Sequence, residues 1–272
     1  MASAAKHLFA DLSSPGPHEV LRGDLALAGL PGVVFTPRAG LGLPSVAFGH
    51  GWLQPALRYQ GLLRHLASWG FVVAAPTTQQ GPLASHRLHA ADLRTALDVC
   101  IGVRLGEGEI SVDPDRLGVA GHSTGGGAAI LAAAEDERLK AVATFAPAET
   151  RPSAAEAAAR CTMPGLHLAG GEDLIAPALA HAEVIAQAWR GPVTLRTLPK
   201  ATHLGLTEGR HWSELLLHGK GQRRTQQTVK AMLTAFFLVH LTDSARYLPL
   251  LDEDVKQCPI DYRHGSELLK AP

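Results

Sequence analysis

A chain of 272 residues, 46% hydrophobic and 18% charged, holds enough apolar material for one large α/β domain and too much for intrinsic disorder. Lys and Arg, 25 together, balance 25 Asp and Glu, so bulk charge offers no hold on nucleic acid or an anionic membrane. No apolar run approaches bilayer length, Asp11 breaks the opening MASAAKHLFADLSS before secretory length, and Cys100, Cys161 and Cys258 have no paired spacing; together these describe a soluble cytoplasmic protein.

Residues 20–27 and 32–37 read as two extended runs around a hairpin-like turn at Gly29-Leu30-Pro31. Residues 44–48 form a short buried strand closed by Gly49-His50-Gly51. Tyr59, Leu62, Leu63 and Leu66 recur at helical spacing, with Gly70 as the stop. Phe71 to Ala75 is an uninterrupted apolar run ended by Pro76, as in a central parallel strand. Leu93, Ala96, Leu97, Cys100 and Ile101 make one face of a long helix. A loop at Asp113-Pro114-Asp115 leads to a strand over 117–120 and a small-residue helix after Ser123. Strands follow over 139–145 and 166–169, with room for one short helix over 153–160 between them. A helix over about 177–189 precedes the strand 193–198, and Val229, Met232, Leu233, Phe236 and Phe237 mark an amphipathic helix near the C-terminus. This alternation predicts a single α/β domain: a mostly parallel sheet with helices on both faces and a core over about 20–241. The tail 242–272, with Pro249 and Asp252-Glu253-Asp254, has no clear period and reads as irregular chain packed on the domain or partly disordered.

Gly121-His122-Ser123-Thr124-Gly125 is the only G-x-S-x-G string, and it sits between an apolar strand and a helix of Gly and Ala. That setting is a nucleophile elbow: a sharp turn exposes the hydroxyl at the carboxyl end of the sheet, beside helix N–H groups that favour developing negative charge. Without chemistry, Ser123 would simply cap a helix. A serine hydroxyl needs a base, and the base an orienting acid, in the chain order Ser, acid, His. Asp173, in the loop after strand 166–169, is the expected acid; Glu172 is the fallback, and a helix-dipole role is the plain alternative. His203 is the expected base, because it is the first histidine after the strand 193–198; His211 and His218 lie further on. Glycines at 49 and 51 allow the Trp52 N–H to face a reacting carbonyl, with the Thr124 N–H as second donor; the plain alternative is a tight turn with Trp52 in the core.

These parts, in this order, resemble the α/β-hydrolase superfamily over about residues 20–241. GHSTGG, HGW and GEDLIAP look like its dienelactone-hydrolase-related branch, which includes cutinase-like polyester hydrolases and chlorophyllase-type serine esterases. The resemblance implies a serine esterase with little or no cap domain and no cofactor. The chain departs from the branch at several points. Its nucleophile is serine where dienelactone hydrolases usually carry cysteine. Phe145-Ala146-Pro147-Ala148-Glu149 lacks the tryptophan with which polyester hydrolases clamp aromatic ester units, and the family's secretion signal and C-terminal cysteine pairing are not evident. The expected substrate is therefore a small or medium apolar ester rather than an extracellular polymer. Thioesterase or acyltransferase chemistry on the same triad, or a non-catalytic binding role, are the alternatives.

The roughly twenty residues between Phe145 and Leu166 are too few for a large helical cap, so the cleft should be open. Trp52, Leu53, Ile175 and Leu204 are its expected apolar walls. Lys220, Arg223 and Arg224 read as a solvated helix start. His86 and His89 lack acidic or cysteine co-ligands, so no metal is expected, and the absence of G-x-G-x-x-G and P-loop strings argues against nucleotide use.

Overall fold

The computed structural model describes residues 4–217 and 219–265. In chain order it runs α1 (Ala4–Leu12), β1 (Val20–Asp24), β2 (Gly32–Pro37), β3 (Gly40–Gly49), α2 (Gln60–Ser68), β4 (Val72–Pro76), α3 (His86–Gly102), β5 (Ile110–His122) and α4 (Thr124–Ala133). It continues with β6 (Leu139–Phe145), α5 (Ala154–Ala158), β7 (Gly165–Gly170), α6 (Ala182–Ala188), β8 (Val193–Leu198), α7 (Ser213–Leu216), α8 (Arg223–Thr242), α9 (Leu248–Asp252) and β9 (Ile260–His264). Among the described residues the strands form one nine-stranded sheet in the order β1-β2-β4-β3-β5-β6-β7-β8-β9. The pairs from β4 through β8 are parallel, while β1, β2 and β9 pair antiparallel at the two edges.

The side-chain alternation of a strand sends neighbouring residues to opposite faces, and each face has its own core. Val46, Phe48, Val73 and Ala75 point to the side covered by α1, α2, α8 and α9. Ala47, Val72, Ala74 and Val119 point to the side covered by α3, α4, α5 and α6. Because both faces are covered, the central strands are predominantly apolar on both faces, with buried exceptions such as Ser45, Thr144, His167 and Arg196. Small residues set how closely the layers approach. A Cβ at Gly118 would come within 2.8 Å of the Phe237 ring on α8.

Several elements differ from the sequence expectation. The first extended run ends at Asp24; Leu25–Ala28 is a 3-10 turn capped by the Asp24 side chain and closed by Gly29 in the left-handed region. Residues 113–116 are a bulge inside β5 rather than a loop before it. The ladder to β3 jumps from Leu43–Val112 to Ser45–Leu117, and Pro114, which has no N–H to give a ladder, bulges out into solvent. The helix expected over 177–189 is broken at His181 into a 3-10 turn (Ala178–Ala180) and α6. The part of the tail that is described is ordered secondary structure: α9 buries Leu250 and Leu251, and β9 extends the sheet against β8. Residues 266–272 of the tail lie outside the described residues. At the other end, α1 buries Ala5 and Leu12 in the core that contains α8.

Candidate active site

The loops after β3, β5, β7 and β8 converge at the carboxyl edge of the parallel sheet, where an open α/β sheet builds its sites. Ser123 sits between β5 and α4 at φ 55° and ψ −127°, a conformation an L-residue adopts only when its surroundings enforce it. Three main-chain bonds do so: Ser123 N to Phe145 O (3.1 Å), and Gly127 N (3.1 Å) and Ala148 N (3.0 Å) to Ser123 O. The glycines of the motif make room. A Cβ on Gly121 would lie 2.3 Å from Gly125 O, and one on Gly125 equally close to the carbonyls of Gly49 and His50. Strand, elbow and oxyanion-side loop can thus pack main chain against main chain. Ser123 does not cap α4; its side chain makes no cap bond.

Its hydroxyl donates instead to His203 Nε2 (2.9 Å), and His203 Nδ1 donates to Asp173 Oδ2 (2.8 Å). His203 lies in a 3-10 turn (His203–Leu206) directly after β8, and all three side chains are buried. The other oxygen of Asp173 accepts the N–H groups of Ile175 and Ala176, each at 2.9 Å, so the carboxylate caps its own loop as well as orienting the imidazole. Burial alone would raise the Asp173 pKa. The bond and charge of His203, with the two amides, outweigh that and hold the carboxyl below the usual carboxylate range. Glu172, the fallback acid, is exposed and takes no part. His211 bonds Ser213 Oγ (2.8 Å) and is not brought to Ser123; His218 lies outside the described residues.

The backbone N–H groups of Trp52 and Thr124 have no protein partner among the described residues. Thr124 is the first residue of α4, where the helix dipole adds partial positive charge. Beside Ser123 lies a cavity of about 130 Å³, lined on its apolar side by Trp52, Ala148, Ile175, Ala176, Leu204 and Leu217. Of the expected walls, Trp52, Ile175 and Leu204 line it and Leu53 does not. Leu53 adopts φ 56° in the turn after Trp52, and it is Trp52 and Gln54 on either side of it that line the cavity. The indole of Trp52 donates to Pro82 O (3.1 Å).

Nothing in the sequence marks Leu217 as a wall of this cavity. It is brought over the cleft by the segment after His203, which Arg58 clamps in place. The buried guanidinium donates to the carbonyls of Glu208 (2.9 Å) and Gly209 (3.1 Å) and to Gln54 Oε1 (2.8 Å), and pairs with Glu214. Gln54 in turn donates to Ser213 Oγ (2.9 Å). A strap rather than an inserted helical domain therefore covers one side of the cleft. Arg223 and Arg224 are exposed at the start of α8. His86 bonds the Arg151 main chain and His89 packs at a tilt against His50, ring centroids 4.6 Å apart; among the described residues no three His, Cys, Asp or Glu side chains gather as a metal site.

A mostly parallel sheet, a strained Ser123 at the strand–helix elbow and the Ser–His–Asp chain after successive strands define an α/β-hydrolase. Residues 16–203, from just before β1 to the histidine itself, match the family described as PET hydrolase-like, and the chain belongs to that family. Cutinase est1 of Thermobifida alba is 30% identical over 152 residues, 56% of this chain and 50% of its own length. Cutinase 2 of Thermobifida cellulosilytica is 30% identical over 151 residues, 56% of each chain, and cutinase cut1 of Thermobifida fusca is 30% identical over 151 residues, 46% of its own length. The chain spans about half the length of the curated relatives it matches. The resemblance to cutinase-like hydrolases is borne out at the level of family.

Proposed function

We propose that the protein is a serine carboxylic-ester hydrolase that works through an acyl-enzyme on small to medium apolar esters. The observation that carries this reading is the unbroken hydrogen-bond chain from Ser123 to Asp173 at the mouth of a small apolar cavity. Ser123 Oγ attacks the ester carbonyl as its proton passes to His203 Nε2, and Asp173 stabilises the imidazolium and fixes its orientation. The N–H groups of Trp52 and Thr124 bind the oxyanion of the tetrahedral intermediate. On collapse, the acyl C–O bond to the alcohol breaks and His203 protonates the departing oxygen. Water, deprotonated by His203, then releases the acid and returns the proton to Ser123.

Trp52, Ile175 and Leu204 are the proposed acyl contacts. A cavity of about 130 Å³ is small beside the ~300–1,000 Å³ of sites for drug-sized ligands, which supports a short acyl group. The names of the relatives, all cutinases, support ester chemistry. Hydrolysis of p-nitrophenyl esters from acetate to palmitate tests the reading. Turnover should peak among the short chains and fall to background in Ser123→Ala. Ser123-independent turnover, or none on any ester, would overturn it.

A further inference from the structure

One buried polar chain beside the triad is used by no step above. The Gly51 N–H donates to the Tyr59 hydroxyl (3.1 Å), Tyr59 bonds His122 Nδ1 (2.7 Å), and His122 Nε2 bonds the backbone carbonyl of His203 (2.8 Å). Tyr59 and His122 have no exposed surface. The direction of every bond is forced from the ends. A carbonyl only accepts, so His122 carries its proton on Nε2 and leaves a lone pair on Nδ1; a backbone N–H only donates, so the Tyr59 oxygen receives Gly51 and its hydrogen goes to His122. Every group in the chain is paired once, and none is left over.

The three places it ties together are the working parts of the proposed site. Gly51 precedes Trp52, His122 precedes Ser123, and the last acceptor is the main chain of His203 itself. The fit leaves no slack, since a Cβ on Gly51 would stand 2.9 Å from His122 Nδ1 and 3.2 Å from the Tyr59 oxygen. Packing holds both rings: Tyr59 lies against Phe48 at 4.9 Å and His122 stacks on Phe145 at 5.6 Å. The His122 ring is also 4.9 Å from the His203 ring, so a charge on His122 would oppose the imidazolium that catalysis requires. Burial, with the nearby His203, lowers the His122 pKa to about 3, which keeps that ring neutral.

We propose that Tyr59 and His122 are positioning residues, a neutral one-directional relay that locks His122 in the Nε2–H tautomer and thereby holds the base, nucleophile and oxyanion loops in one register. This rests on the serine-hydrolase reading, and it assigns work to two buried side chains that give and take no proton in the proposed reaction. A misregister of about 1 Å costs on the order of 100-fold in rate, so the hydroxyl of Tyr59 has leverage out of proportion to one hydrogen bond.

The test is Tyr59→Phe, which keeps the ring and its packing and removes the donor. We expect kcat to fall about 10- to 100-fold with KM within about twofold. Nitrogen-15 spectra of the His122 ring should show the single Nε2–H tautomer in both proteins, because the His203 carbonyl still accepts, while the Nδ1 resonance should move in the variant to that of a lone pair without a donor. A group that only packs would leave the Nδ1 resonance where it was. His122→Phe should lose at least as much activity, and His122→Gln, whose amide can still donate to the His203 carbonyl, should recover part of it. Unchanged kcat in Tyr59→Phe, or an Nδ1–H tautomer in the unaltered protein, would overturn the relay while Ser123→Ala still abolished turnover. Turnover surviving Ser123→Ala would instead sink the hydrolase reading, leaving the tautomer spectra to decide whether the relay exists.

Discussion

Arg196 on β8 has no exposed surface and forms no ion pair among the described residues; its guanidinium donates to the carbonyls of Leu251 (2.7 Å), Cys258 (2.9 Å) and Glu253 (3.0 Å). Tyr59 and His122 are as deeply buried, but they are neutral and each donor meets one acceptor. The arginine is a charge dissolved in main-chain dipoles. It holds residues 250–258 against the sheet, and its four carbonyls, Leu250 O at 3.5 Å included, can shift by tenths of an ångström without changing what it does. The relay has no such tolerance, because its value lies in which atom carries which proton. One fold thus contains a buried polar cluster built for anchorage and another built for register, and the chemistry falls only on the second.

The contrast can be broken most severely at the triad. Asp173→Asn should lower kcat by about 10⁴-fold, the scale seen when a triad acid is neutralised, while the melting temperature barely moves because the amide oxygen can still accept from Ile175 and Ala176. Steady-state kinetics and a thermal melt on one preparation check both halves. Arg196→Met should do the reverse. Stranding buried carbonyls costs about 3 kcal/mol or more in total, read as a lower urea midpoint, and the folded fraction should retain its kcat.

Acid should separate the two clusters most gently. His122, His89 and His167 all have pKa values lowered to about 3, chiefly by burial. A histidine depressed in the folded state contributes stability in full above the unfolded value of about 6.5 and loses it as pH falls toward the folded value. Each such ring should therefore cost up to about 1.4 kcal/mol per pH unit between those limits. Urea titrations from pH 7 to pH 4 should show this decline. His122→Gln should shallow it, and Arg196→Met should displace the curve with its slope intact. A slope unchanged by His122→Gln would show that this ring is not neutral in the fold.

What is legible in the sequence is local, and what is not legible depends on residues far apart in the chain. Ser123 is legible because its glycines, strand and helix are contiguous, and Asp173 and His203 because each follows a strand in a fixed order. Tyr59 reads as one more core residue of a helical stripe, and nothing within its own segment marks a hydroxyl that meets His122 sixty-three positions later. That Leu53 does not line the cavity is not legible either, because a positive φ at a leucine has no sequence signature. β9 escapes notice because an edge strand with one half-exposed face, Ile-Asp-Tyr-Arg-His, has neither an apolar run nor clean alternation. The bulge at 113–116 reads as a loop because proline and two aspartates are turn residues wherever they occur.

That last strand has a consequence for how the molecule behaves in company. β8 delivers His203 from its carboxyl end, and β9 pairs along it from Val193 to Arg196. Were residues beyond Thr242 removed, β8 would present a bare row of N–H and C=O groups, the template on which strands of other copies add themselves. The lost segment would then show first as turbidity and sedimenting material and only afterwards as missing activity. The outermost strand is in that sense the molecule's colloidal guard, standing one strand away from the turn that carries His203.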